Sequence, residues 1–268
     1  MAIPDQIAGQ ISAAAARRFG GIARLYGAPA LARLGQAHIC VIGIGGVGSW
    51  AAEALARSAI GRLTLIDLDI VAESNVNRQI HAHDGEFGKA KVTAMAQRIR
   101  LINPKCSVEA IDDFVTPENV ESLFAAGFDQ VIDATDHVRS KVAMIACAKR
   151  RRLPLITVGG AGGQTDPTRI LIADLALTIQ DPLLSKVRSR LRKEHAFSRE
   201  AKKKFGVPAI FSTEPLRYPQ PVDRCDTPAG GAHGLQCAGF GSSVCVTATF
   251  GLLAAGEALR RLSVTVNP

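Results

Sequence analysis

The sequence predicts an α/β fold in which helices cover both faces of a mostly parallel β-sheet. Short apolar runs alternate with segments whose apolar residues recur near every 3.6 positions, over the first two-thirds of the chain. A glycine-rich turn, GIGGVG at 43–48, follows one apolar run and opens a helical segment. The length of 268 residues suits one large domain.

Six apolar runs have the length and composition of strands. They are 38–43, 63–68, 106–114, 130–135, 153–159 and 168–175. Four segments between them have helical spacing, and these are 49–60, 89–103, 117–127 and 139–151. Because strands and helices alternate, each helix is predicted to carry the chain back to a parallel neighbour.

The run VCVTATFGLLAAGEAL at 244–259 is apolar but too short for a membrane span, since Glu257, Arg260 and Arg261 close it. It is predicted to be a buried helix. The N-terminal residues lack the charged and apolar regions of a signal peptide. We therefore expect a cytoplasmic protein with no transmembrane span.

The six cysteines form no CxxC pair, so the sequence predicts no zinc site. Cys40 and Cys147 lie in apolar runs and are expected to be inert core residues. Cys225 and Cys237 lie in a Pro/Gly-rich stretch, where a reactive role stays open.

Positive charge is concentrated in one segment of a chain whose formal net charge is +8. The segment 186–204 holds nine Lys or Arg against two Glu, and KRRR at 149–152 forms a second cluster. This density indicates a polyanionic partner, although a solvated helix face fits equally well. The candidate nucleic-acid contacts are Lys186, Arg188, Arg190, Arg192, Lys193, Lys202, Lys203 and Lys204.

The glycine turn is typical of a Rossmann-like nucleotide site. Gly43, Gly45 and Gly48 match G-x-G-x-x-G between a strand and a helix, where backbone amides can approach a phosphate. Asp67 ends the next predicted strand, where a carboxylate can hold ribose hydroxyls. A purely structural turn is the alternative, and up to this point NAD and ATP fit the pattern equally well.

The residues that follow favour ATP. Asp69, Asn75, Arg78 and Lys91 gather after the second strand, where a hydride-transferring NAD site needs no such set. Arg78 and Lys91 can neutralise charge on the β- and γ-phosphates as pyrophosphate leaves, and Asn75 can hold a phosphate oxygen or the ribose.

A later strand adds a candidate magnesium ligand. Asp133 and Asp136 lie at the carboxyl end of the run 130–135, where ligands collect in open α/β sheets. Mg²⁺ prefers one or two carboxylates together with phosphate oxygens. Asp136 is the preferred ligand because it lies nearer the loop, whereas Asp133 could instead cap the following helix.

Taken in order, these residues resemble the ubiquitin-activating enzyme-like superfamily, which includes bacterial adenylyltransferases. The matching positions are Gly43, Gly45, Gly46, Gly48, Asp67, Asn75, Arg78, Lys91 and Asp136. The resemblance implies an adenylation fold, a homodimer, and attack of a substrate carboxylate on the α-phosphate of ATP.

A narrower resemblance covers nearly the whole chain. RFGGIARLYG, NVNRQIHA, DDFVTPENV, GGAGGQTDPT, DLALTIQDPL, FSTE and VTATFG look like the tRNA threonylcarbamoyladenosine dehydratase family. This resemblance implies ATP-dependent cyclisation of N6-threonylcarbamoyladenosine at position 37 of tRNA. A cysteine-desulfurase sulfur-acceptor system is a further candidate partner.

The expected organisation is one adenylation domain over 1–268. It comprises an N-terminal helical arm (1–36), a nucleotide-binding core (37–176), a basic helical segment with a mobile loop (177–237) and a C-terminal return helix (238–268).

One superfamily feature is displaced. The arginine that reaches the partner's ATP corresponds to Gly21 here, so Arg18 or Arg24 would replace it, and Arg18 is preferred.

Three other functions remain open at this point. The chain could activate the C-terminus of a ubiquitin-like sulfur-carrier protein, oxidise or reduce a substrate with NAD(P), or bind nucleic acid without catalysis.

Overall fold

The computed structural model describes residues 13–200, 203–218 and 240–264. Its helices are α1 (Ala13–Tyr26), α2 (Ala28–Gln36), α3 (Gly48–Arg57), α4 (Lys91–Ile102), α5 (Val120–Phe124), α6 (Val138–Arg151), α7 (Pro182–Glu194) and α8 (Val244–Ser263). Its strands are β1 (His38–Ile42), β2 (Arg62–Ile66), β3 (Ser107–Ile111), β4 (Gln130–Asp133), β5 (Leu155–Val158), β6 (Ile170–Asp174) and β7 (Pro208–Ser212).

The strands form one sheet in the order β3-β2-β1-β4-β5-β7-β6. All neighbours are parallel except β6 and β7, which pair antiparallel. The structure therefore confirms the predicted α/β class and mostly parallel sheet. Each of the six predicted strand runs overlaps an observed strand.

Helices cover both faces of the sheet because its central strands are apolar on both sides. On β1, Ile39 and Val41 belong to a core with α3, α4 and α8, whereas Cys40 and Ile42 belong to a core with α5, α6 and α7. Alternation of side chains along a strand places these two pairs on opposite faces. Cys147 is also fully buried in the second core, as expected for an inert residue.

The segment 177–237 contributes a strand that the sequence pattern did not predict. It contains α7, which starts at the N-cap Asp181, and then β7, which lies in the sheet between β5 and β6. Part of this segment therefore belongs to the sheet itself. The Pro/Gly-rich stretch with Cys225 and Cys237 lies outside the described residues.

The apolar run near the C-terminus forms α8, which packs closely on α3. A side chain on Gly251 would place its Cβ 2.3 Å from the Val47 carbonyl oxygen, so this glycine allows the two helices to approach. Within the described ranges, none of the helices combines the length and the apolar character that crossing a membrane requires.

Candidate functional site

The candidate site lies at the carboxyl ends of β1 and β4. Strand β2 follows β1 on one side and β4 lies on its other side, so the chain reverses its direction of winding between β1 and β4. Loops leaving the sheet diverge at such a point and open a crevice, which is where open α/β sheets bind ligands. The turn 43–48 leaves β1 here, and the loop 134–137 leaves β4.

The glycine turn requires glycine at two positions for steric reasons. Gly43 has φ +85°, and a Cβ there would lie 2.9 Å from the carbonyl carbon of Ala134. A Cβ on Gly48 would lie 1.8 Å from the Gly43 oxygen. At Gly45, by contrast, a Cβ would meet nothing within 4 Å. The turn is therefore tight on its protein side and open at Gly45, where a ligand can approach the backbone.

Asp67 ties this turn to the end of β2. Its Oδ2 accepts a hydrogen bond from the Ile44 amide at 2.5 Å, and its Oδ1 accepts one from the Asp69 amide at 2.9 Å. Burial raises the pKa of Asp67 above its ordinary value, while the charge of Lys91 and these amide hydrogen bonds act in the opposite direction. Asp67 thus fixes the shape of the turn. The sequence predicted only a contact between Asp67 and the ribose, and not this structural role.

Lys91 and Asp69 form an ion pair beside this turn. The Lys91 Nζ lies 2.7 Å from the Asp69 Oδ2, and the Lys91 amide donates to the Asp69 carbonyl at 2.9 Å. The lysine side chain is 7% exposed and the aspartate side chain 56% exposed. The ammonium group is therefore held in place at the first residue of α4 by a carboxylate that faces solvent.

Arg78 lies directly against the glycine turn. Its Nη1 donates to the Ser74 carbonyl at 2.7 Å and to the Asn77 Oδ1 at 2.8 Å. A Cβ on Gly46 would lie 3.1 Å from the Arg78 Cγ, and the Trp50 indole donates to the Arg78 carbonyl at 2.9 Å.

No carboxylate of the described residues pairs with the Arg78 guanidinium, and partial burial lowers its pKa. An oriented cation without a counter-ion is suited to an anionic ligand. The hydrogen bond from Trp50 that anchors Arg78 was not predicted, because the helical spacing around Trp50 does not indicate a contact with a residue so far along the chain.

Asn75 is buried close by, in a short 3₁₀ helix formed by residues 73–75. Its Oδ1 accepts a hydrogen bond from the Ala72 amide at 3.1 Å. Among the described residues nothing accepts from its Nδ2 group. The amide side chain is thus oriented by the backbone with a donor left for a ligand.

The two aspartates after β4 have different environments. Asp133 and Lys141 are both 0% exposed and form an ion pair at 3.0 Å, and the Thr157 hydroxyl donates to the same Asp133 oxygen at 2.7 Å. The other Asp133 oxygen accepts from the hydroxyl and amide of Thr135. Asp133 therefore holds the loop after β4 and does not cap α6, whose N-cap is His137.

Asp136 is exposed at the tip of that loop, and its carboxylate has no partner in the described part of the chain. Its environment suits a ligand of a metal ion that is also bound by phosphates. No group of three or more His, Cys, Asp or Glu side chains among the described residues could hold a metal by protein ligands alone.

A buried histidine, three residues after Arg78 in the chain, was not predicted. His81 is 1% exposed, and neither ring nitrogen has a hydrogen-bond partner within the described structure. Burial lowers its pKa to about 4, and the charge of Lys91 acts in the same direction. The ring is therefore neutral at pH 7.

Two of the sequence segments that carry the resemblance meet beyond β7. The Glu214 carboxylate of FSTE accepts hydrogen bonds from the amides of Thr165 and Asp166, both at 2.9 Å. The Asp166 amide is the strongest of the groups that lower the pKa of Glu214. The buried carboxylate thus fixes the loop GGAGGQTDPT against the end of the strand.

The basic residues of the segment 186–204 are not equivalent. Arg190 pairs with Glu194, Lys203 pairs with Glu200, and Arg188 donates to the Thr178 hydroxyl. Arg192 donates to the Ser198 carbonyl and lies over the Phe205 ring. Four are exposed and have no hydrogen-bond or ion-pair partner among the described residues, namely Lys186, Lys193, Arg199 and Lys204. Lys202 lies outside the described residues.

Arg18 lies on the exposed side of α1. Its Nη1 donates to the Ile102 carbonyl of the same chain at 2.9 Å. The structure thus attaches the arm to the end of α4, and a contact between Arg18 and a second subunit stays a prediction.

Comparison with known proteins agrees with this geometry. The model of the ThiF family matches residues 20–268. The tRNA threonylcarbamoyladenosine dehydratase of Haemophilus influenzae is 56% identical over 247 residues, covering 92% of this chain and 93% of the relative. The crystal structure of the Escherichia coli tRNA N6-threonylcarbamoyladenosine dehydratase in complex with ATP superposes with a TM-score of 0.85. It is 52% identical and covers 94% of this chain and 96% of that one.

The same Escherichia coli enzyme in complex with AMP also has a TM-score of 0.85, at 53% identity and the same coverage. The matches span nearly the full length of both partners, including α7 and β7, and are not confined to the glycine turn. The chain therefore belongs to the ThiF family and groups there with the relatives named tRNA threonylcarbamoyladenosine dehydratase.

Proposed function

We propose that the protein uses ATP to dehydrate N6-threonylcarbamoyladenosine at position 37 of tRNA to its cyclic form. The observation that carries this proposal is the unpaired Arg78 guanidinium beside a glycine turn that is open at Gly45. The full-length likeness to dehydratases solved with ATP and with AMP supports the choice of nucleotide and of substrate.

In the first step, an oxygen of the threonyl carboxylate attacks the α-phosphorus of ATP. The bond from that phosphorus to the bridging oxygen breaks, and pyrophosphate leaves with the negative charge. Amides of the turn 43–48 seat the phosphates, while Arg78 and Lys91 stabilise the charge that develops on the leaving group. Lys91 is already oriented for this role by Asp69.

In the second step, the carbamoyl group of the same nucleoside attacks the activated acyl carbon. The bond from that carbon to the AMP oxygen breaks, AMP leaves, and the attacking group loses a proton. The two reacting groups belong to one molecule, so proximity promotes the closure. No side-chain nucleophile of the protein is required.

Magnesium fits this site through Asp136. The exposed carboxylate would supply one oxygen, beside the phosphate oxygens that Mg²⁺ also prefers. When bound there, the ion would neutralise phosphate charge. The Asp67 carboxylate would accept from the ribose hydroxyls through its remaining lone pairs. The Asn75 Nδ2 group would donate to a phosphate oxygen or to the ribose.

The proposal includes a cytoplasmic homodimer in which Arg18 reaches the partner's nucleotide, as the superfamily resemblance implies. The mechanism requires no sulfur transfer, so a cysteine-desulfurase sulfur-acceptor system would dock without entering the reaction.

The test measures release of pyrophosphate and AMP from ATP and Mg²⁺, together with mass analysis of the tRNA nucleosides. We expect turnover when tRNA carrying threonylcarbamoyladenosine is present and none with unmodified tRNA. The cyclic nucleoside should appear in equal amount to AMP. Turnover with a ubiquitin-like carrier protein in place of tRNA would contradict the proposal.

A further inference from the structure

A groove of about 470 Å³ lies at the edge of the sheet opposite the glycine turn. It is formed where α6 ends and where β5 and β7 begin, and Leu153, Leu155 and Val207 contribute to its apolar floor. We call it the Lys149 groove, after the first of its three cationic lining residues, which are Lys149, Arg152 and Arg261. No carboxylate of the described residues lines it.

The cations of the Lys149 groove are available to a ligand. Arg152 is exposed and has no side-chain partner in the described structure, and the Lys149 Nζ donates only to the Phe205 carbonyl, at 2.8 Å. Arg261 shares the Glu257 carboxylate with Arg260. Because one glutamate pairs with two arginines, these three side chains together keep a net positive charge.

The neighbours of Lys149 and Arg152 in the run KRRR behave differently. Arg150 and Arg151 both bind Glu121 on α5, which neutralises part of their charge away from the groove. The backbone of Arg152 has φ +56°, a left-handed conformation that ends α6 and sends the chain toward β5. One run of four basic residues is thus divided between two surfaces.

The Lys149 groove is linked to the basic end of α7 through Phe205. Arg192 of α7 lies over the Phe205 ring, and the carbonyl of the same Phe205 accepts from Lys149. The 14 residues of α6 separate the groove from the candidate site, a distance of about 21 Å. A DNA duplex has roughly one phosphate per 1.7 Å of axis, so a nucleic-acid stem that spanned this distance would carry on the order of ten phosphates.

We propose that the Lys149 groove binds the phosphate backbone of tRNA, at a distance from the reacting nucleoside. This inference rests on the proposed tRNA substrate. It assigns Lys149 and Arg152 to the contact with RNA and leaves Arg150 and Arg151 outside it.

The test compares tRNA binding by two double variants that remove the same charge. Lys149→Gln with Arg152→Asn changes the groove, and asparagine suits the left-handed backbone. Arg150→Gln with Arg151→Gln is the matched control. Binding of unmodified tRNA is measured by fluorescence anisotropy from 50 to 200 mM KCl, after melting curves have confirmed that each variant is folded.

Each lost phosphate contact lowers the slope of log K against log salt by about 0.9. The slope for the groove variant should therefore be smaller than the wild-type slope by about 1.8. The ratio of wild-type to variant affinity should then fall about tenfold between 50 and 200 mM KCl. The control should keep the wild-type slope. If the groove variant does not fold, Arg152→Asn alone should lose a slope of about 0.9.

An unchanged slope in the groove variant, or an equal loss in the control, overturns the inference. So does binding of inorganic pyrophosphate in the groove without an effect on tRNA. The proposed function is judged separately, by whether the wild-type protein forms the cyclic nucleoside, so failure of either proposal is distinguishable from failure of the other.

Discussion

Replacement of Arg78 by alanine tests the adenylation site most directly. The guanidinium has no carboxylate partner among the described residues, so in the proposed mechanism its charge is available to the departing pyrophosphate. Removal of one preoriented donor from a developing negative charge costs about 100- to 1,000-fold in rate, or about 2.7–4 kcal/mol. We expect a loss of this size in the rate of AMP formation with modified tRNA.

The fold should tolerate this substitution. The Arg78 side chain is half-buried and its hydrogen bonds go to groups of the neighbouring loop, so we expect a loss of roughly 1 kcal/mol in the free energy of unfolding. This is small against the 5–15 kcal/mol of a typical domain. Binding of tRNA should remain, because Arg78 is not part of the basic surfaces.

Two further variants make the result specific. Arg78→Lys keeps a positive charge but loses the planar fork, so we expect it to recover only part of the rate. Arg139→Ala removes an arginine from the first turn of α6 that pairs with Glu118, and its rate should stay near wild type. An unchanged rate in Arg78→Ala, measured by pyrophosphate release at saturating ATP, would remove Arg78 from the mechanism.

Four other outcomes are expected. Lys141→Met leaves the Asp133 carboxylate buried without its cation and should cost about 3–5 kcal/mol in urea unfolding; a loss below about 1 kcal/mol contradicts this. Gly45→Ala should keep the melting temperature and weaken ATP binding roughly tenfold in calorimetry, whereas Gly48→Ala should lower the melting temperature. Because burial lowers the folded pKa of His81 to about 4, below its unfolded value of 6.5, stability should fall as pH drops from 6.5 to 4, and His81→Leu should flatten that dependence in unfolding titrations. Neutralising Lys186, Lys193 and Lys204 should weaken tRNA binding and reduce its salt dependence. Neutralising Arg190 and Lys203 should have a smaller effect because they have carboxylate partners, and equal effects would identify the segment as a solvated face.

The parallel part of the sheet could be predicted because its signals are local. The strands β1, β4 and β5 have apolar centres and are buried along their whole length, which is typical of strands covered on both faces, and a helical period follows each of β1 and β4. The glycine turn was identifiable for the same reason, since its glycines lie at fixed offsets from a strand.

Strand β7 could not be predicted from such signals. It has five residues, begins with Pro208 and lies next to a Pro/Gly-rich stretch. What makes it a strand is its pairing with β5 and β6, and these contacts form only in the folded chain. Tertiary context decides the conformation of such short segments.

The residues at the site show the same division. The sequence predicted Asp67 and Asp136 at strand ends, where ligands collect in open α/β sheets, and it predicted Arg78 and Lys91 from their ability to neutralise phosphate charge. It could not predict that both Asp67 oxygens accept backbone amides, or that Lys141 is buried beneath Asp133. Those partners are set by packing and not by spacing along the chain.

The strand order also constrains the order in which the chain can fold during synthesis. Strands β1 to β5 pair with one another and are complete at residue 158. Strand β6 has β7 as its only neighbour in the described sheet, so it stays unpaired until residue 212 has been made. The first five strands can therefore assemble before β6 has a partner. Until β7 is made, the backbone N–H and C=O groups of β6 stay unpaired, and this strand is the part of the nascent chain most exposed to mispairing.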